Sequence, residues 1–167
     1  MRLVLRHEPT KYGLVLDVNG WTAVDELLAA AQRAGVPLTR PLMEQVIADN
    51  EKQRFALSDD GSQVRARQGH SVEVDLGLAP VTPLETLCHG TAATSVDAIR
   101  RAGSQRRSRQ HVHLSPDEET AIKVGQRHGK PVVLRVQAAA LHRAGHQFFL
   151  SENGVWLVDA VPPEFLA

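Results

Sequence analysis

Apolar and polar positions along this chain follow two different periods, and the switches between them outline its elements. Residues 14–18 (Leu-Val-Leu-Asp-Val) read as a short strand, followed by an Asn19-Gly20 turn. Thr22 then stands ahead of a helical pattern, with Asp25 three residues on as a weak capping box. Val24, Leu27, Leu28 and Ala31 recur at i, i+3, i+4 and i+7 and would form the buried stripe of that helix, which Gly35 stops. A second helix is expected from about Thr39, with Pro41 in its first turn and Leu42, Val46 and Ile47 turned inward. Arg54-Phe55-Ala56-Leu57, the turn Ser58-Asp59-Asp60-Gly61 and Gln63-Val64-Arg65-Ala66 then read as a hairpin. Two helices followed by a β-hairpin is the order of a winged-helix module, a topology that serves as a scaffold as readily as it binds nucleic acid.

Residues 76–83 are uncharged and carry Pro80, Pro83 and Gly77, the composition of an extended linker. This divides the chain into a first lobe over 1–77, a linker over 78–83 and a second lobe over 84–167. In the second lobe, residues 84–88 read as a strand running into His89-Gly90-Thr91. A helix is expected from about Ser95, with Val96, Ile99 and Ala102 inward and Gly103 ending it. Gln110-His111-Val112-His113-Leu114 alternates as a strand does, which puts both histidines on one face and Val112 and Leu114 on the other. Ser115-Pro116-Asp117-Glu118 reads as a helix start, with serine as the cap, proline next and glutamate at the third position. Residues 131–136 form an apolar strand, expected to be central and buried. Residues 148–150 and 155–158 flank Ser151-Glu152-Asn153-Gly154, whose Asn-Gly marks a hairpin. The pattern as a whole predicts an α+β fold with short strands.

Composition narrows the chemistry. In 167 residues no apolar run approaches the roughly 18 needed to span a membrane, and the first residues lack the features of a signal peptide. Cys88 is the single cysteine, which excludes an internal disulfide and suits a reducing, cytoplasmic setting. Lys and Arg balance Asp and Glu at 19 each, so net charge announces no nucleic-acid partner. The distribution says more: Arg100, Arg101, Arg106, Arg107 and Arg109 fall within ten positions that contain no acid. Eight histidines add to the picture of a phosphate-rich ligand.

The densest polar stretch is Arg65-Ala66-Arg67-Gln68-Gly69-His70-Ser71, at the seam between the lobes. Guanidinium forks match phosphate oxygens, and glycine lets backbone N–H groups come close. Alone, the stretch reads equally as a polar strand end with a turn. Arg6-His7, directly after Leu3-Val4-Leu5, puts a cation and an imidazole at the end of an apolar segment, where they could also be solvated. Lys52 and Arg54 likewise suit a helix C-terminus. There is no phosphate-binding Gly-rich loop of the P-loop or dinucleotide type. His111 and His113 without nearby carboxylates make a poor zinc set, and no metal is expected. Cys88 and His89 are adjacent on a strand and point to opposite faces, which argues against a nucleophile–base pair. Many arginines, several imidazoles and few candidate carboxylates fit the stabilisation of an anion better than the generation of a nucleophile.

Leu5-Arg6-His7, Asn50-Glu51-Lys52-Gln53-Arg54-Phe55, residues 65–71, His89-Gly90-Thr91, Arg109-Gln110-His111-Val112-His113-Leu114-Ser115 and Asn153-Gly154-Val155-Trp156-Leu157 stand in the order seen in the NAD-dependent RNA 2′-phosphotransferase family. The chain resembles that family over nearly its whole length. The resemblance implies a winged-helix-like, RNA-binding lobe followed by an ADP-ribosyltransferase-like lobe with a split, small β-sheet that binds NAD⁺ as co-substrate. It also implies transfer of an internal RNA 2′-phosphate to NAD⁺, giving RNA with a free 2′-OH, ADP-ribose 1″,2″-cyclic phosphate and nicotinamide. By the same resemblance Arg6, His7, Arg54 and Arg109 are catalytic: the three arginines would hold the transferring phosphate and His7 would assist proton movement. His89, Gly90 and Thr91 would line the NAD site, with His111 and His113 as dinucleotide neighbours. Arg65, Gln68, His70 and Ser71 would hold the RNA backbone. Typical ADP-ribosyltransferases carry a late glutamate, whereas the matching stretch here is Asn153-Gly154-Val155-Trp156, and Glu152 reads as hairpin polarity. Family members usually carry a helical segment ahead of the Leu-Arg-His motif, so Arg6 and His7, close to the first residue, are expected to be less firmly supported.

The implied partner is RNA bearing an internal 2′-phosphate, spliced tRNA being the family's best-known substrate, with no membrane partner and a monomeric chain. Two alternatives stay open. One is ADP-ribosylation of terminal phosphates on RNA or DNA by the same pocket. The other is a non-catalytic winged-helix module whose nucleic-acid affinity would survive Arg109→Ala with little dependence on NAD⁺.

Overall fold

The structure, a computed structural model, describes residues 1–167 and is a mixed α+β fold. It divides into two compact units, Met1–Gly77 and Leu78–Ala167.

The first unit runs α1 (Arg2–Arg6), a 3₁₀ turn (Thr10–Tyr12), β1 (Thr22–Ala23), α2 (Val24–Arg33), α3 (Arg40–Ala48), β2 (Phe55–Leu57) and β3 (Gln63–Ala66). The three strands form one antiparallel sheet in the order β1-β3-β2, with Thr22 opposite Val64 and Phe55 opposite Ala66. Leu5, Leu14, Val24, Leu27, Ala30, Met43, Phe55, Val64 and Ala66 make the core. The hairpin, the Asn19-Gly20 turn and the Gly35 stop (φ +70°) lie where the sequence puts them.

Three details differ. Residues 14–18 form no strand: Leu14 faces the core, but Val15 and Val18 are 77 % and 76 % exposed. The Asp17 carboxylate accepts from the backbone of Asn19 and Trp21, which tightens the turn and moves strand pairing on to Thr22. Thr22 therefore belongs to β1, and Ala23 is the N-cap of α2. In α3, capped by Thr39 as expected, the residue packed into the core is Met43, with Ile47 against it. Leu42 and Val46 stay exposed, because one step along a helix turns a side chain by about 100°.

The second unit runs β4 (Leu87–Ala92), α4 (Val96–Ala102), β5 (Ser104–Gln105), β6 (Val112–Leu114), α5 (Glu118–Gly125), β7 (Pro131–Val136), α6 (Ala138–Arg143), β8 (Phe148–Leu150), β9 (Trp156–Val158) and β10 (Ala160–Val161). All pairings are antiparallel: β4 with β7, β5 with β10, and β6-β9-β8 as a three-stranded sheet. Cys88 and Ser115 exchange backbone hydrogen bonds of 2.8 Å, which ties β4 to the end of β6. The core gathers Leu87, Val112, Leu114, Val136, Leu141, Phe148, Trp156 and Val158.

Here too some elements depart from the expected ones. β4 starts at Leu87, so His89-Gly90-Thr91 lies inside the strand rather than beyond it. In α4, Ile99 is buried but Ala102 is exposed. Ser115 does not cap α5, because its backbone is committed to Cys88; Asp117 caps it by accepting from the Thr120 N–H at 2.7 Å. β7 is not central: it pairs with β4 and meets Leu166 through a single bridge, and Arg135 is exposed.

Two glycines carry the packing of α5 on β4. A Cβ on Gly90 would stand 1.8 Å from the Ala121 carbonyl oxygen, and one on Gly125 would stand 2.7 Å from that of Thr91. Helix and strand backbones therefore touch directly at the middle of β4.

Gly103 offers a clean test of close packing, with φ +77° and a Cβ that would lie 2.4 Å from the Val161 carbonyl oxygen. Gly77 has a similar φ of +66° with nothing near it. Gly77→Ala is expected to cost about 1 kcal/mol from backbone strain alone, and Gly103→Ala about 3 kcal/mol with the clash added. Urea midpoints of the two variants check the difference.

Candidate functional site

In the first unit the site is built around the end of α1. Leu5 is fully buried and anchors the helix, and Arg6, next in line, is only 7 % exposed, so it is firmly held despite lying close to the first residue. The Arg6 guanidinium lies 5.8 Å from the Phe55 ring centroid and donates to the Arg54 carbonyl at 3.4 Å. That carbonyl also accepts from the Arg67 N–H at 3.0 Å, which extends the β2–β3 pairing by one step. The chain enters β2 through Gln53, whose φ of +40° makes the bend that sets Arg54 at the strand's mouth.

The segment after β3 folds back onto α1. The Ser71 N–H donates to the Arg6 carbonyl at 2.8 Å, and the Ser71 hydroxyl lies 2.9 Å from His7 Nδ1. Arg6, His7, Arg54, Arg67 and Ser71, from three separate stretches of sequence, thus form one polar cluster.

Behind it lies His70, 1 % exposed, with neither ring nitrogen hydrogen-bonded, and Gln68, whose buried Oε1 has no partner. Gly20 packs against His70, since a Cβ there would stand 3.4 Å from Nε2. Burial pushes the His70 pKa down to about 4, and the charges of Arg6, His7 and Arg65 push the same way. Gln68 and His70, expected to hold RNA, are both buried, whereas Ser71 of the same stretch is exposed. Arg65 is half-buried, its guanidinium 4.6 Å from the Trp21 ring centroid. Nothing in the linear sequence links those two residues; the pairing of Thr22 with Val64 brings them together.

In the second unit His89, Gly90, Thr91, Arg109, His111 and His113 line one cavity of about 530 Å³. His89 Nδ1 lies 3.3 Å from the His113 carbonyl and Nε2 lies 3.2 Å from the Ser104 hydroxyl. A carbonyl only accepts, so Nδ1 carries the hydrogen and Nε2 accepts from Ser104. Burial lowers the His89 pKa, with Arg107 adding to the effect and the His113 carbonyl opposing it. The Arg109 guanidinium donates to His113 Nδ1 at 3.1 Å. His111 stands edge-on to Phe149 and 3.9 Å from the Asp159 carboxylate, and burial also lowers its pKa against the pull of Asp159.

Gly90 is required by the contact with α5, whatever its backbone offers a ligand, and Thr91 lines the cavity from a largely buried position. Ser104 and His128 also line it without having been expected as site residues, and Arg106 and Arg107, marked in the sequence only by the arginine-rich run, line it too. Ser104 carries no sequence signal; it follows the glycine that ends α4. No Asp or Glu lines the cavity. A second concavity, of about 370 Å³ beside α2 and lined by Leu28, Gln32 and Leu38 among others, has neither cation nor imidazole in its wall. No group of three His, Cys, Asp or Glu side chains is placed to hold a metal ion, and no helix is long and apolar enough to cross a membrane.

Each unit therefore presents guanidinium and imidazole groups together, and the class the fold and sites define is an α+β protein with a cationic, imidazole-bearing site in each unit. Residues 1–160 match the model of a family described as RNA 2′-phosphotransferase, Tpt1 / KptA family. The chain is 54 % identical over 167 residues to a probable RNA 2′-phosphotransferase of Hahella chejuensis, covering all of this chain and 90 % of that protein. It is 53 % identical over 169 residues to one from Streptomyces griseus, covering 97 % and 89 %. It is 54 % identical over 162 residues to one from Nostoc punctiforme, covering 97 % and 90 %. The chain belongs to the RNA 2′-phosphotransferase, Tpt1 / KptA family.

Because the folded state holds His70 neutral, the unfolded chain takes up a proton as pH falls below 6.5 that the native chain refuses until about 4. Stability is therefore expected to be full above 6.5 and to fall across that window, by on the order of 3 kcal/mol from this group. Denaturant titrations at pH 7, 5.5 and 4.5 should show a shallower decline for His70→Leu than for the wild type.

Proposed function

We propose that this chain removes an internal 2′-phosphate from RNA by transferring it to NAD⁺. Its first unit acts as a winged-helix-like RNA-binding lobe and its second as an ADP-ribosyltransferase-like lobe. The observation that carries the reading is the cluster at the end of α1, where the Arg6 guanidinium meets the Arg54 carbonyl and the His7–Ser71 pair is tied to the Arg6 carbonyl. Family membership supplies the substrate class.

In the first step a 2′-phosphate oxygen attacks C1″ of the nicotinamide ribose. A C–O bond forms, the C–N glycosidic bond breaks, and its electron pair leaves with neutral nicotinamide. The nucleophile arrives as an anion, so no side chain has to generate it. This accords with cavity walls that carry guanidinium and imidazole but no carboxylate.

In the second step the ribose O2″ attacks phosphorus and the P–O2′ bond breaks, giving ADP-ribose 1″,2″-cyclic phosphate and RNA with a free 2′-OH. One proton passes from O2″ to O2′. His7, oriented by Ser71, is the group we assign to that transfer. Arg6 and Arg54 stabilise charge on the phosphoryl oxygens, and Arg109 is the catalytic cation assigned to the second unit. The ring of His89, fixed as a neutral tautomer, lines the dinucleotide site without adding charge. His111 and His113 complete the imidazole wall. RNA bearing an internal 2′-phosphate is the substrate, tRNA included, and the cytoplasm is the proposed setting.

The protein with NAD⁺ and a 2′-phosphorylated oligonucleotide is expected to release nicotinamide and leave a 2′-OH; unchanged RNA would sink the proposal. Accumulation of ADP-ribosylated RNA in the wild type would favour the terminal ADP-ribosylation alternative. Arg54→Ala is expected to stall after the first step and accumulate the ADP-ribosylated intermediate, seen as a gel shift. Arg109→Ala is expected to lower nicotinamide release by on the order of 10²–10³-fold.

A further inference from the structure

The arginine-rich loop between β5 and β6 contributes more to the cavity of the second unit than Arg109. Arg106 and Arg107 also line it, and neither has an ion-pair partner. The loop is held as a tight turn by the Arg109 N–H donating to the Arg106 carbonyl at 3.0 Å. Within that turn Arg107 has φ +52°. This is the left-handed region, which glycine or asparagine occupies at less cost than arginine. An arginine in a strained backbone position, at the wall of a cavity, points to work done by its side chain. The charges of this loop already reach the imidazoles opposite, since Arg107 acts on His89 and Arg106 on His111. A solvated surface loop would ordinarily balance such charge with acids, yet the ten positions from Arg100 to Arg109 contain none and no carboxylate lines the cavity.

We propose that Arg106 and Arg107 form the grip for the diphosphate of the dinucleotide, and that this cavity therefore binds ligands more tightly as their negative charge rises. The proposal rests on the NAD⁺ reading given above. NAD⁺ offers two diphosphate charges offset by the positive pyridinium, whereas ADP-ribose keeps both charges without that offset. The cyclic phosphate product adds a third. A wall with guanidinium groups and no carboxylate attracts the product more than the substrate through charge. Product thus competes with NAD⁺, and added salt speeds its departure.

Calorimetric titration of the full chain with ADP-ribose and with NAD⁺, at low and at physiological salt, tests this. ADP-ribose is expected to bind with a steeper salt dependence than NAD⁺. Arg106→Gln and Arg107→Asn are each expected to weaken ADP-ribose binding by about tenfold and to flatten its salt dependence, as loss of a charge-assisted contact would. Asparagine tolerates the left-handed backbone, so Arg107→Asn is expected to keep or raise the thermal midpoint, which separates loss of charge from loss of the turn. Arg107→Lys is expected to recover part of the salt-dependent affinity. If ADP-ribose binds but both neutral variants bind it with wild-type affinity and salt dependence, the grip is wrong and the NAD⁺ reading stands. If neither ADP-ribose nor NAD⁺ binds at all, both fall together.

Discussion

The carbonyl of Arg6 is the point on which the first unit's site depends. The last carbonyls of a helix have no partner within it, and in a helix as short as α1 that deficit must be met from elsewhere. The Ser71 N–H meets it, and the Ser71 hydroxyl then stands against His7. A routine requirement of helix termination thereby folds the segment after β3 back over the start of the chain. A second carbonyl does similar work: that of Arg54 accepts from Arg6 and from Arg67. The Arg6 guanidinium is held by the Arg54 carbonyl and the Phe55 ring, and the His7 imidazole stands against the Ser71 hydroxyl. Desolvation keeps His70 neutral, so it adds no charge of its own.

The second unit reaches a similar end by other means. Its strands are short and its sheets small, so much of the geometry depends on backbone contact between β4 and α5 through Gly90 and Gly125. That contact fixes the middle of β4. The His113 carbonyl on β6 and the Ser104 hydroxyl on β5 then set the tautomer of His89. The hydrogen-bonded ring of His89 and the arginines of the loop before β6 give a cavity lined by cations and imidazoles with no carboxylate in the lining. Such a site suits a reaction whose nucleophile is already charged and whose difficulty lies in bringing anions together.

Much of the fold was legible along the chain. Helices with a strong cap or stop, such as α3 behind Thr39 and α2 ahead of Gly35, and hairpins marked by turn residues, as at Asn153-Gly154, lie close to their expected positions. Local chemistry decides those features. Misreadings cluster where two local options compete and a distant partner chooses between them. Thr22 could cap a helix or enter a strand, and pairing with Val64 selected the strand. Ser115 could cap α5, but its backbone was taken by Cys88 and the cap passed to Asp117. Met43 rather than Leu42 faces the core because the rotation of a helix is set by what it packs against.

The sequence by itself determined the identity of the chemical groups, their order and the absence of a carboxylate within the arginine-rich loop, since these are properties of covalent composition. It marked Arg6, His7, Arg54 and Arg109 through resemblance, and Arg106 and Arg107 through charge density alone. Tertiary structure decided which of those groups face solvent and which support others. His70 and Gln68 look like ligand contacts in a linear motif, but they are buried. Trp21 and Ser104 look like nothing in particular, yet one lies against Arg65 and the other bonds His89. Burial and long-range pairing are sums over the whole packed chain, and no local window of residues contains them.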